Sequence, residues 1–388
     1  MASRRAWIGL PCLFIVLQSR GITSFELGAC LVALAIGQLG LEIPSGIISD
    51  KFGRKVSLCI AALARTVGWG CFATATSPEL AMVGFACIGI SFAFDSGSDS
   101  AWLYDSLKEK GETERYTELE AKASRVGFYS LAVSCLVGGW LMTLSYDIAV
   151  TVTVLPLLVS CVAAAMLTEP KLETKSNDTH FWSNVGEGLQ RVWSDKFIFQ
   201  IVLLSAFPAA ALEVYFRFIQ QLLAEQLGIT PLAFGYIYAL WLAVTALSTH
   251  LVAPMVARTR VVVIVRWAVV LLGLSFVMLG GATTSSALVL AVIPQVCFAF
   301  LPVLVRSELN RISESNVRAT ILSAFGFLVS IQMALLGPIV GYVADLMSTG
   351  AAIVWLGVSI LTVSIAVHLV AESRKWRERP GWFASLWS

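Results

Sequence analysis

Charge is scarce in this 388-residue chain, where Lys, Arg, Asp and Glu together make up 13%. Soluble domains carry about a quarter, so a solvated globular surface of this size is excluded. Histidine is scarcer still: His180, His250 and His368 lie far apart, which leaves no nucleus for a metal site. The cysteines, Cys12, Cys30, Cys59, Cys71, Cys87, Cys135, Cys161 and Cys297, form no CxxC pair and all fall inside apolar runs. They read as small packing residues rather than disulfides or metal ligands. No Gly-rich loop ends in Gly-Lys-Ser/Thr, so ATP phosphates have no P-loop to bind. No metal, organic cofactor or nucleic-acid partner is expected, and no constellation marks an enzyme.

What the chain has is apolar length. It is 57% hydrophobic, with runs of the length a membrane helix needs. Allowing about 32 residues for a helix and its loop gives roughly twelve spans. These fall at 6–20, 26–49, 55–76, 79–107, 122–144, 147–168, 197–223, 231–256, 261–281, 287–309, 319–345 and 350–371. The first run, after Arg4 and Arg5, imitates a secretory signal, but Gln18-Ser19-Arg20-Gly21 offers no cleavage site, so it reads as an uncleaved, short helix with Arg5 and Arg20 snorkelling at its ends. Basic residues gather in alternate loops, such as Lys51, Arg54 and Lys55, then Lys108, Lys110 and Arg115, and finally Arg374 to Arg379. Loops near 77, 146, 226, 284 and 348 hold none. The asymmetry assigns both termini to the cytoplasm of a multi-pass protein of the cell membrane.

The longest polar stretch, 169–196, divides the spans six and six. Phe181, Trp182, Val185, Leu189, Val192 and Trp193 recur in it at helical spacing, the mark of an amphipathic segment on the membrane face, with an irregular linker as the alternative. The expected organisation is a six-helix bundle at 1–168, a cytoplasmic linker at 169–196, a second bundle at 197–371 and a tail at 372–388. Such duplication is typical of transporters with a site between the halves. One internal echo supports it: Ser134-Cys135-Leu136-Val137-Gly138-Gly139 in span 5 and Gly337-Pro338-Ile339-Val340-Gly341 in span 11.

Ionisable residues within spans are costly and are therefore the candidates for chemistry. Span 4 carries Asp95 and Asp99, one helical turn apart and surrounded by serines. Burial and mutual repulsion would suit them to carrying a proton; alternatively the serines or Arg65 hold them. Span 7 carries Glu213 and Arg217 at ion-pair spacing, followed by Gln220 and Gln221. This group could bind a charged or zwitterionic substrate or merely offset its own burial. Tyr215, Tyr236, Tyr238 and Trp241 could line an aromatic cavity or pack. Arg65 reads as a structural buried charge needing a partner, for which Glu42 or Asp105 would serve.

Between spans 2 and 3 stands Gly46-Ile47-Ile48-Ser49-Asp50-Lys51-Phe52-Gly53-Arg54-Lys55, a tight charged turn. With LEIPSGIISDKFGRK from Leu41, SGSDSAWLYDSLK from Ser96 and VRATILSAFGFL from Val317, the chain resembles the major facilitator superfamily over essentially its full length. It is most similar to the bacterial branch associated with drug and metabolite efflux. The resemblance implies an all-α integral membrane fold of twelve helices in two six-helix bundles. It also implies a gating motif of Gly46, Asp50, Lys51, Gly53, Arg54 and Lys55, in which Asp50 caps the start of span 11 and Arg54 pairs with Asp105. Exporting antiporters of this family usually carry Gly-Pro-x-x-Gly-Gly in span 5, where this chain has Ser134-Cys135 in place of Gly-Pro.

The expected function is secondary active transport by alternating access. The proton gradient would drive export of small amphipathic compounds or metabolites by a monomer in the lipid bilayer. A proton-coupled importer on the same fold and a non-transporting membrane sensor are the alternatives.

Overall fold

The computed structural model describes residues 13–96, 98–170, 192–248, 261–284, 289–312 and 318–373, with isolated positions at 186, 187, 190, 255 and 259. The described elements are helical: α1 (Leu13–Ser19), α2 (Ser24–Phe52), α3 (Arg54–Thr74), α4 (Pro78–Asp95), α5 (Ser98–Glu109), α6 (Tyr116–Leu144) and α7 (Tyr146–Ala165). They continue with α8 (Lys196–Val214), a π-helical turn (Tyr215–Ile219), α9 (Gln220–Gln226), α10 (Pro231–Ser248) and α11 (Val261–Gly280). The last three are α12 (Val292–Ile312), α13 (Arg318–Leu346) and α14 (Thr349–Ser373). Among the described residues ten helical stretches are long and apolar enough to cross a membrane, and a shorter apolar helix covers Pro231–Thr245. The start of expected span 6–20 and the end of span 231–256 lie largely outside the described residues, as do the amphipathic stretch at 171–185 and the tail beyond Ser373.

The helices begin where the sequence supplies caps. Thr23 and Glu26 form a reciprocal capping box on α2, which satisfies amide groups that a helix start leaves free. Pro78 opens α4, where its missing amide costs nothing, and the Ser145 hydroxyl accepts from the Asp147 amide at the start of α7.

Two expected boundaries are corrected. The charged motif is not mainly a turn: α2 runs on to Phe52 and α3 starts at Arg54, so the chain reverses at Gly53 alone, with φ 99° and ψ 157°. That region of backbone space is essentially restricted to glycine. Span 4 is not one helix either. α4 stops at Asp95, where Ser96 leaves helical backbone space at ψ 108°, and α5 runs from Ser98; serine hydroxyls compete for backbone groups.

Within the first group of helices α2 packs on α4, and α3 on both α4 and α7; in the second, α11 packs on α14 and α8 on α13. The groups are joined most extensively by α2 with α13 and α6 with α10, and also by α1 with α9. Small residues let these backbones approach, as in membrane helix pairs generally. A Cβ on Gly28 would lie 2.1 Å from the Gly337 carbonyl oxygen, and one on Gly139 would lie 2.9 Å from Gly235 Cα. Both contacts lie in the half of the bundle away from the Gly46–Lys55 motif, here termed the far end. Phe14 adds to the closure there, its ring 5.2 Å from Phe218 and 5.4 Å from Phe85.

Arg20, expected to snorkel, instead ties three elements together. Its guanidinium donates to the carbonyls of Phe72, Ala73 and Ala75 at the end of α3 and pairs with Asp147 at 2.6 Å. A cation at a helix C-terminus is favourable. From the expected linker helix, Val192 is buried with Ile198, Ile201, Val305 and Ile321, whereas Trp193 is half exposed.

Candidate functional site

A cavity of about 570 Å³ lies between the two helix groups on the motif side. Its polar lining is Gln38 and Glu42 from α2, Ser96, then Ser205 and Glu213 from α8, Arg306 from α12, and Ser323 and Ser330 from α13. Apolar walls come from Leu212, Leu301 and three phenylalanines, Phe298, Phe325 and Phe327. The helix contacts described above close it at the far end, so its access is from the motif side. Ser96, at the end of α4, stands beside the Glu42 carboxylate. Sequence reasoning treated Glu42 only as a partner for Arg65. Its place on the α2 face opposite α8 becomes visible only once the halves are docked.

The Glu213–Arg217 pair forms as its spacing predicts, Arg217 Nε donating to Glu213 Oε2 at 2.6 Å. Arg217 also lies over the Phe92 ring of α4, 5.5 Å from its centroid, an attraction of cation to π-face. The pair thus touches both helix groups. It sits where α8 passes into the π-helical turn, a feature frequent at functional sites. Gln220, beyond that turn, is 1% exposed, and neither of its amide atoms has a hydrogen-bond partner among the described residues. It does not line the cavity. Its neighbour Gln221 accepts the Phe14 amide proton at 3.0 Å, a link between the groups that was not foreseen.

Of the four aromatic residues expected either to line a cavity or to pack, most pack. Tyr215 and Trp241 are buried in the core, Tyr238 is nearly so, and Tyr236 is 60% exposed. Tyr215 packs against Phe276 with the rings tilted and their centroids 4.9 Å apart. Large rings in this helix bundle fill space between helices, which is their commonest use.

Asp95 and Asp99 do not face the central cavity. They line a separate cavity of about 500 Å³ enclosed by α3 to α7, together with Arg65. Asp95 pairs with Arg65, whose guanidinium also donates to the Ser91 hydroxyl at 2.6 Å. The partner of Arg65 is therefore Asp95, not Glu42 or Asp105: the α3–α4 packing brings Ser91 and Asp95 to its side. The geometry at Asp95 is that of an ion pair with Arg65.

In the motif, Arg54 lies 3.3 Å from Asp50, 3.1 Å from the Ser49 hydroxyl and 4.0 Å from Asp105. The Arg54–Asp105 approach is the one expected. Asp50 pairs across the Gly53 reversal, while residues 313–317, which precede α13, lie outside the described residues. Lys51 lies over the Phe52 ring at 5.4 Å. Serine hydroxyls continue the network inward: Ser49 is 3.4 Å from Ser98, which donates to Ser57, which donates to the Phe94 carbonyl. α2 runs straight through Gly46.

Two carboxylates that sequence reading missed cap helices from a distance. Glu169 accepts from the amides of Arg54 and Lys55, both at 2.7 Å, at the start of α3. Asp345, at the end of α13, accepts from the amides of Ser24 and Phe25 at the start of α2.

Charged residues in spanning helices, a cavity between two helix groups and the motif-end network agree with the family that the motif resembled. A Major Facilitator Superfamily sequence profile matches residues 6–331. The chain belongs to this superfamily. Among curated relatives, it is 25% identical over 235 residues to the uncharacterised MFS-type transporter YxaM of Bacillus subtilis (strain 168), covering 59% of this chain and 58% of that protein. It is 25% identical over 244 residues to the multidrug resistance protein MdtH of Salmonella typhimurium, covering 60% of this chain and 57% of that protein. The chain thus spans little more than half the length of these relatives. Among solved structures, the fold is similar to the nucleoside transporter NupG, with a TM-score of 0.76 over 97% of this chain and 100% of the other at 14% identity. It is also similar to a D-xylose–proton symporter, with a TM-score of 0.67 over 96% and 95% at 13% identity. Among its described residues this superfamily member is helical throughout, with the multi-pass membrane architecture of the family.

Proposed function

We propose that the chain is a proton-coupled secondary transporter that exports small compounds by alternating access, with its substrate in the cavity between the helix groups. The observation that carries this reading is that Glu42 from one helix group and Glu213 from the other, the latter paired with Arg217, line the same cavity. Carboxylates at that depth are costly to maintain, and a proton that loads one of them changes the relative stability of the two access states. The 25% identity to a protein named for multidrug resistance supports export. On this reading the bundles are 1–168 and 197–371, the linker 169–196 and the tail 372–388 face the cytoplasm, and a monomer works in the cell membrane. The energy source is the proton gradient, without a bound cofactor.

Proton-coupled import of a polar solute is the second reading, favoured by the hydroxyl and amide lining of Gln38, Ser96, Ser205, Ser323 and Ser330. Proteoliposomes with an imposed pH gradient separate the two, using an amphipathic cationic dye and a neutral nucleoside as test solutes. Export predicts dye movement opposite to the protons, lost in Glu42→Gln and in Glu213→Gln. Nucleoside movement in the same direction as the protons would favour import. Gradient-driven transport that survives in both variants would rule out the coupling role.

A further inference from the structure

The cavity enclosed by α3 to α7 draws on none of the second group of helices and shares no lining residue with the central one. At about 500 Å³ it is within the range that holds a drug-sized molecule. Leu58, Leu103, Leu119, Val126, Ala163 and Leu167 form its apolar walls, while Arg65, Asp95, Asp99 and Lys122 supply two positive and two negative groups. Arg65 is 3% exposed, and its Nε has no hydrogen-bond partner among the described residues. A buried donor of this kind carries a desolvation cost until an acceptor reaches it. Where Arg65 and Asp95 bind each other, one guanidinium N–H is thus still available.

Depth and surroundings identify what could reach it. The rise along α3 from Arg54 to Arg65 is about 16 Å, near the middle of a bilayer core of about 30 Å. A phospholipid headgroup, which stays at the interface, does not reach that level. Leu63 on α3, Val126 on α6, and Val159 and Val162 on α7 expose apolar surface on the helices that wall the cavity, so its flank faces hydrocarbon. A ligand with net charge would upset a lining whose two positive and two negative side chains already balance, which is unfavourable beside the buried Arg65–Asp95 pair.

We infer that this cavity is a second binding site, for an uncharged amphiphile that partitions into the bilayer and places an acceptor oxygen against the Arg65 guanidinium in its lining. The site is independent of the coupling residues proposed for the central cavity, and it can be tested by binding alone.

The test uses the full chain in phosphatidylcholine nanodiscs with prodan, an uncharged naphthyl ketone whose emission reports hydrogen bonding to its carbonyl. Saturable binding above empty nanodiscs is expected. It should weaken about tenfold when Ala163→Trp fills the cavity from its exposed α7 wall, and persist in Ser330→Trp, which fills the central cavity. The bound dye should emit further to the blue in the Arg65→Met/Asp95→Leu double variant, which removes the donor without leaving a lone charge. No saturable component, or binding lost in Ser330→Trp and retained in Ala163→Trp, would overturn the inference. So would a tightly bound phospholipid released by Ala163→Trp in protein that takes up no prodan.

Discussion

Asp345 and Ser24 are 321 positions apart in sequence, yet the Asp345 carboxylate accepts the Ser24 amide proton at 2.9 Å and the Phe25 amide proton at 2.7 Å. These are amides at the start of α2 that no helical carbonyl can satisfy, and a carboxylate there also meets the positive end of the helix dipole. The contact joins α13 to α2 at the far end, beside the Gly28–Gly337 approach. It is the counterpart, at the opposite end of the same helix pair, of the role that the motif resemblance implies for Asp50. A carboxylate at each end of α2–α13 would favour one access state each.

Removing Asp345 should therefore weaken closure of the far end. The group is partly solvated, so the loss is expected to be about 1 kcal/mol, a shift of roughly fivefold between access states. A cysteine at Ser330 in the central cavity, with the native cysteines replaced, reads this out by its labelling with an impermeant maleimide. Asp345→Ala should raise labelling from the far side and lower it from the motif side. Equal rates with and without the carboxylate would show that the contact is a passive cap.

The Arg65–Asp95 pair makes a different prediction. Both partners are largely buried, with side chains 3% and 13% exposed. Breaking such a pair by removing one member costs about 3–5 kcal/mol, because the other charge is left uncompensated, whereas replacing both with apolar groups is often close to neutral. Arg65→Met should lower the thermal midpoint in detergent by several degrees, and Arg65→Met/Asp95→Leu should recover most of the loss. If the double variant is as unstable as the sum of the singles, the pair is not the structural unit that its geometry indicates.

The parts of this molecule legible in the sequence are those carried by local spacing or long averages. Span positions follow from runs of hydropathy, and the Glu213–Arg217 bond follows from i,i+4 spacing. The echo between Ser134–Gly139 and Gly337–Gly341 proved informative, since Cys135, Gly139, Gly337 and Gly341 all lie against backbone of the other helix group. What was not legible depends on docking. Asp345 and Glu169 look like ordinary loop acids until the helix starts they cap are brought beside them. Asp95 and Asp99 do share a cavity, but the end of α4 at Asp95 and the partnership with Arg65 are not visible in their spacing. From the sequence Glu42 would serve as a partner for Arg65, although the facing of α2 toward α8 turns it to the central cavity instead. Rotation about each helix axis decides which cavity a charge enters, and hydropathy alone leaves that rotation undetermined.

The reversal at Gly53 permits a prediction in which two effects must couple. Gly53 holds φ 99° and ψ 157°, a conformation that costs a residue with a Cβ about 1–3 kcal/mol. A Cβ there would also lie 2.6 Å from Glu169 Cδ, displacing the carboxylate from the Arg54 and Lys55 amides. Glu169→Ala removes the same cap directly, at a cost of about 1 kcal/mol for an N-terminal cap. Gly53→Ala thus includes most of what Glu169→Ala does, and the two should not add. In thermal unfolding the double variant is expected to be only slightly less stable than Gly53→Ala alone, with a coupling of about 1 kcal/mol. Strict additivity would mean that Glu169 tolerates the new methyl group while keeping both amide bonds, and that the motif tolerates an ordinary residue next to its capped helix start.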